Sequence, residues 1–237
     1  MNHNSAGHLH EKNTGAWLTR SDEWKNWLAG APKSRFLWVK GNPGTGKTVL
    51  AYSMINYVYG LTKDHKSKAY SYYYCDHSRN QDETLPFLTW IISQFCRSAG
   101  GIPDILNKLH GSGHEPTPSQ LLSCLDAVLT RFAEAYVVVD AIDEPKPPGN
   151  LLSVLAQLGA DPRFGKLRLA VTSRSSQEIK EVFASHCTVV SMDNNTAVEA
   201  DIQAYVKTTL MGPKYSIWGP QLQSKVATIV SQKANGL

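Results

Sequence analysis

The chain has 237 residues, 42% hydrophobic and 19% charged, enough for one large domain or two small ones with a core that needs neither metals nor disulfides. No stretch approaches the roughly 18 uninterrupted apolar residues of a membrane span, and six tryptophans with so many apolar residues exclude a mostly disordered chain. The net charge of +4, from 24 basic and 20 acidic side chains, is too small for a dense basic stripe, so nucleic acid is not an expected partner.

The first ten residues are polar, three of them His. They lack the apolar core of a signal peptide, and a flexible lead-in through residue 14 is expected. Cys75, Cys96, Cys124 and Cys187 form no CxxC pair, which points to free thiols and a cytoplasmic protein. Ser21 or Asp22 is placed to cap a short helix carrying Trp24, Trp27 and Leu28 near one face, ended by Gly30 and Pro32. Arg35–Lys40 is rich in aromatic and β-branched residues and reads as a strand, followed by a Gly-rich turn and a helix from Lys47 to about Tyr59.

The alternation then continues along the chain. Strands are expected over Ala69–Cys75, Ala135–Asp140, Leu167–Thr172 and Cys187–Met192, and helices over Thr84–Ser98, Ser119–Glu134, Leu151–Leu158 and Gln177–Ser185. Gly100–Pro118, punctuated by Gly and Pro, reads as a mobile surface loop or a lid. Two further helices, Ala197–Leu210 and Gln221–Lys233, follow. The implied fold is α/β, a mainly parallel sheet of about five strands with helices on both faces and a short helical C-terminal extension. The expected division is a segment 1–14, a core 15–196 and the start of a helical region 197–237, read as a piece of a larger architecture.

Gly41-Asn-Pro-Gly-Thr-Gly-Lys-Thr48 matches the phosphate-binding pattern GxxxxGK[ST] and falls between an expected strand and an expected helix. Successive backbone amides in such a loop face one concavity, and Gly41, Gly44 and Gly46 let the main chain approach phosphates. Asn42, Pro43, Thr45 and the following Val49 complete the candidate binding segment. Lys47 is placed to reach the β- and γ-phosphates and Thr48 to put its hydroxyl on Mg²⁺. Asp140 ends an apolar strand, where a carboxylate holds the hydrated metal, and Asp143 and Glu144 follow within one turn as candidates to orient or deprotonate the attacking water. Arg174 ends Leu167–Arg174, where a guanidinium can sense the γ-phosphate; an arginine at a strand end is otherwise an ordinary surface residue.

The order WL-x5-W-x2-W, FLWVKGNPGTGKT, VVVDAIDE, LAVTSR and DIQAYV resembles the NACHT-type STAND NTPases, particularly those of fungal NLR-like and heterokaryon-incompatibility proteins. The nephrocystin-type N-terminal NTPase module is similar. The resemblance spans about Thr14 to Leu237. It implies a P-loop sheet of the ASCE kind, with one strand between those bearing the two nucleotide motifs. It also implies a switch that is closed with a diphosphate and oligomerises, in the full-length context, with ATP or GTP and Mg²⁺. By position, Lys47, Thr48, Asp140, Asp143, Glu144 and Arg174 match the family's Walker A, Walker B and sensor residues. Pro145 and Ala141 depart from the residues usual at those places without removing a ligand.

The aromatic residues divide. Tyr70, Tyr72, Tyr73 and Tyr74 read as packing rather than a base-stacking platform. Trp17 lies in the segment that the resemblance brings near the nucleotide base, although tryptophan at helical spacing usually belongs to a core. The leading expectation is slow Mg²⁺-dependent triphosphate hydrolysis. A nucleotide-dependent oligomerisation scaffold without hydrolysis is the alternative. A small-molecule kinase is disfavoured because Gly100–Pro118 carries no arginine for a lid.

Overall fold

The computed structural model describes residues 14–31, 34–147, 149–183 and 187–233. The expected lead-in, apart from Thr14, lies outside these residues. Two short helices, α1 (Ala16–Arg20) and α2 (Asp22–Ala29), precede β1 (Phe36–Lys40) and α3 (Lys47–Thr62). Then come β2 (Lys68–Tyr74), α4 (Thr84–Ala99), α5 (Asp104–Gly111), α6 (Pro118–Leu129) and β3 (Glu134–Asp140). The chain continues through α7 (Gly149–Ala160), β4 (Leu167–Ser173), α8 (Gln177–Phe183), β5 (Thr188–Ser191), α9 (Thr196–Met211) and α10 (Pro220–Lys233).

Local chemistry accounts for several boundaries. Ser21 Oγ accepts the Trp24 amide at 3.2 Å to start α2, and Gly30 closes it at φ 68°, the left-handed conformation that glycine adopts at little cost. Thr117 and Gln120 form a capping box around Pro118 to start α6. Glu134, read from sequence as the end of the helix before it, is the first residue of β3. A more substantial correction falls in Gly100–Pro118. That segment holds α5, whose Leu106 and Leu109 pack against the core. Apolar residues at 105, 106 and 109 have helical spacing, and tertiary burial of that stripe overrides the flanking Gly and Pro.

All five strands are parallel, in the order β2-β3-β4-β1-β5. Side chains alternate across the sheet as a period of two requires. Phe36 and Trp38 of β1, Val137 and Val139 of β3, and Leu169 and Val171 of β4 enter one layer, beneath α4, α6, α7 and α8. Leu37 and Val39, Tyr136 and Val138, and Ala170 enter the other, beneath α1, α2 and α3. The tyrosines of β2 obey the same rule. Tyr73 packs on Phe87 at a centroid distance of 5.6 Å in the first layer, while Tyr70, Tyr72 and Tyr74 form a ladder in the second.

Register brings the strand ends together. Tyr74 pairs with Asp140, and Lys40 pairs with both Ser173 and Ser191. Loops 41–46, 75–83, 141–147 and 192–195 therefore all leave one edge, the carboxyl edge, where open parallel sheets place their ligand crevices. No helix among the described residues is long and apolar enough to cross a membrane.

Candidate functional site

The loop from Gly41 to Gly46 turns from the end of β1 into the first turn of α3. Gly44 and Gly46 have φ of 80° and 86°, so a side chain at either position would be strained. Gly41 has a different reason: a Cβ there would lie 2.7 Å from Thr45 Oγ1. The Thr45 hydroxyl donates to the Asn42 carbonyl at 2.9 Å, and the Asn42 amide donates to Asp193 Oδ1 at 2.8 Å. One amide of the loop thus already binds a carboxylate oxygen.

Lys47, the first residue of α3, folds back over the loop and donates from Nζ to the carbonyls of Gly41 and Asn42, both at 2.8 Å. Burial pulls its ammonium below the usual lysine range; Arg174 adds to that, and Asp143, Asp140 and Asp193 oppose it. These four partners are the charged groups that meet at the sheet edge. The next residue, Thr48, has its hydroxyl beside the Asp140 carboxylate.

Asp140 ends β3 and is only 3% exposed. Burial raises its pKa, and the hydrogen bond from the Thr172 hydroxyl, with the nearby Thr48 hydroxyl, pulls it back. Thr172 belongs to β4, the strand between β3 and β1, so Asp140 is held from the middle of the crevice. The Ala141 amide donates to Thr172 Oγ1 at 3.1 Å, and Ala141 has φ of 59°. That left-handed residue turns the chain sharply out of β3.

Beyond it, the two further acidic residues part company. Asp143 accepts from the Arg174 side chain, Nε to Oδ2 at 2.8 Å, and from the Arg174 amide to Oδ1 at 3.0 Å. Glu144 turns to the end of β2, where its Oε2 accepts from the His77 amide at 3.1 Å.

Beside the loop lies a cavity of about 330 Å³ lined by Trp17, Gly46, Val49, Met192, Ile202 and Tyr205. Trp24 and Trp27 are core residues with 0% exposure, whereas Trp17 packs against the margin of the same layer, is only partly buried and also lines this cavity. Asp201 of α9 also lines it and accepts the Gly15 amide on Oδ2 at 2.7 Å. The sequence singled out Asp193 in no motif, and Asp201 only as the first residue of the DIQAYV motif, with no role attached. Each lies far along the chain from what it touches.

The arrangement is that of a phosphate-binding loop facing a buried carboxylate across one intervening strand. The family described as Nephrocystin 3, N-terminal, matches residues 13–174, more than half of the chain. The chain belongs to that family. No curated protein sequence matches the chain.

Among solved structures, this nephrocystin-type module is similar in fold to Aeropyrum pernix ORC1, described in complex with DNA. The TM-score is 0.58 at 14% identity, covering 94% of this chain and 55% of that one. Aeropyrum pernix ORC2, described as ADPNP-ADP complexes, gives 0.52 at 12% identity, with 98% and 58% covered. Drosophila ORC bound to DNA gives 0.51 at 18%, with 96% and 54%. The chain spans little more than half the length of these three structures. At these identities the likeness establishes the architecture, a P-loop NTPase-like fold of the ORC kind.

The donor set at the crevice suits the groups that such a fold implies. A hydroxyl at Thr48 beside the Asp140 carboxylate offers hard oxygen ligands suited to Mg²⁺. The loop amides and Lys47 offer donors suited to a polyphosphate.

Proposed function

We propose that this module binds a nucleoside triphosphate with Mg²⁺ and hydrolyses it slowly as the clock of a STAND-type switch. The observation that carries the reading is the convergence of Lys47 and Thr48, at the start of the helix that follows β1, with Asp140, at the end of β3, although β1 and β3 are not neighbours in the sheet. In this reading Gly41 to Val49 cradle the phosphates, and Lys47 exchanges its carbonyl partners for β- and γ-phosphate oxygens. Thr48 and Asp140 hold Mg²⁺, which screens the charge that builds on the phosphates. Glu144 orients the attacking water. The water oxygen bonds to the γ-phosphorus, the bond to the β–γ bridging oxygen breaks, that oxygen keeps the electron pair, and the water proton passes to solvent by way of the carboxylate. Asp143 holds Arg174 in position to meet the γ-phosphate.

The cavity at Trp17 takes the base, which stacks on the indole. An adenine base is supported by the ADPNP-ADP complexes of the similar ORC2 fold. The sequence resemblance to NACHT-type proteins supports the wider proposal: a cytoplasmic switch that forms homo-oligomers when triphosphate-bound, serving fungal innate immunity or heterokaryon incompatibility. A second reading, an oligomerisation scaffold that binds without turnover, is favoured by one observation. Asp143 and Glu144 both already accept hydrogen bonds, from Arg174 and His77.

Single-turnover release of γ-phosphate from Mg·ATP separates the two. The hydrolytic reading expects a measurable rate that falls by about 100-fold in Glu144→Gln. Equal background rates in both proteins favour the scaffold.

A further inference from the structure

Glu83 has no place in the site as described, yet it is 0% exposed, more deeply buried than Asp140. Sequestering an ionised carboxylate costs stability unless its partners are good, and apolar residues commonly fill such a position as well or better. Helix capping does not account for it. Glu83 is the residue before α4, but its side chain caps nothing there; the first α4 amide, that of Thr84, donates instead to Asp82 Oδ1 at 2.9 Å.

The Glu83 carboxylate turns to the end of β2. Oε2 accepts from Arg79 Nη1 at 3.0 Å, Oε1 accepts from the Asp76 amide at 3.4 Å, and the Tyr73 hydroxyl lies nearby. Arg79 also donates to Tyr73 Oη at 2.9 Å. Glu83 therefore lies beneath the turn 76–79 and gathers its first and last residues. The turn has its own closure, with Asp76 Oδ1 accepting the Ser78 amide at 2.9 Å. The amide that it presents outward is that of His77, and the acceptor is Glu144. On its far side the same loop is fastened to the continuation of β3, by the Lys146 amide to the Gln81 carbonyl at 3.3 Å and by Asn150 Nδ2 to Asp82 Oδ2 at 2.8 Å.

We propose that Glu83 is a positioning residue for hydrolysis: it fixes the β2-tip turn from below, and through the His77 amide it fixes the orientation of the Glu144 carboxylate. The terminal torsion of a free glutamate is broad, so its carboxylate samples many orientations. A rigid donor on Oε2 selects one of them and leaves Oε1 for the water. Positioning partners of this kind act on the rate while making no contact with the ligand.

The inference rests on the hydrolytic reading above. The test is single-turnover γ-phosphate release from Mg·ATP by the full chain, comparing wild type with Glu83→Gln, with Arg79→Ala, and with each of these combined with Glu144→Gln. Arg79 is half-exposed, so its removal opens no cavity, but it strips buried Glu83 of its cationic partner; Arg79→Lys, which keeps the charge and loses the guanidinium, joins the series and decides the matter if the other two do not fold. The expectation is a roughly tenfold slower rate in each single variant, with ATP affinity within about twofold of wild type and no further loss in the Glu144→Gln background. Undiminished or faster release in the folded variants overturns the proposal. So do losses that add to that of Glu144→Gln, because they place Glu83 outside the Glu144 route. Both results leave triphosphate hydrolysis standing. A wild-type chain that binds ATP and releases no phosphate at all overturns the hydrolytic reading and this inference together.

Discussion

The two apolar layers of the sheet differ in completeness. The layer beneath α4, α6, α7 and α8 is closed by helices and holds all four cysteines, either buried or packed against it. The layer beneath α1, α2 and α3 is smaller, and it gives way at the carboxyl edge to the cavity that Trp17 and α9 share with the loop. One face of the same sheet is spent on stability, while the proposed site opens at the margin of the other. Substitutions in the closed layer should therefore change unfolding without changing ligand affinity, and substitutions at the margin of the other should do the reverse.

Phe36→Ala should give the largest effect. Phe36 has 0% exposure and packs edge-on against Phe183 with centroids 4.8 Å apart. Its truncation should cost about 3–5 kcal/mol in chemical denaturation, with nucleotide affinity of the folded fraction unchanged. Gly159→Ala probes the same wall from the helix side: the added Cβ would sit 2.3 Å from Phe36 Cδ1, and overpacking should cost about 1–3 kcal/mol. Trp17→Ala should leave the unfolding midpoint in place and weaken nucleotide binding by about 1 kcal/mol, the low end of base–aromatic stacking. A fall in stability with affinity intact would return Trp17 to the core.

The thiols test the closed layer more gently. Burial raises the pKa of Cys75, Cys96 and Cys124 and pushes Cys187 up to about 11. Native Cys187 should alkylate at pH 8 about 100-fold more slowly than in the unfolded chain, which holds far more thiolate. Because the folded state keeps these protons longer, their contribution to stability is intact below about pH 8.5 and is lost as pH rises above it.

The strand and helix alternation was legible in the sequence because its periods are local, and the phosphate-binding loop because eight consecutive residues carry it. Asp140 was legible as a strand end, and Asp143, Glu144 and Arg174 as residues just beyond one. Their partners were not. That Asp143 turns to Arg174 and Glu144 to His77 depends on which strand lies beside which, and spacing along the chain does not encode strand order. The strand between the two motifs was expected from family resemblance, not from periodicity. Helix α5 was hidden by its Gly and Pro neighbours, and Glu83 by being one acidic residue in a polar stretch. What separates these cases is range: hydrogen bonds across many residues leave no local mark.

Calorimetric titration of the full chain with Mg·ATP, beside Lys47→Ala, tests the central claim most directly. Lys47 supplies a charge-assisted contact worth about 1.5–3 kcal/mol. The account predicts saturable binding at one site in the wild type and at least a tenfold loss in the variant. Equal affinity in the two proteins, or no binding in either, would contradict it.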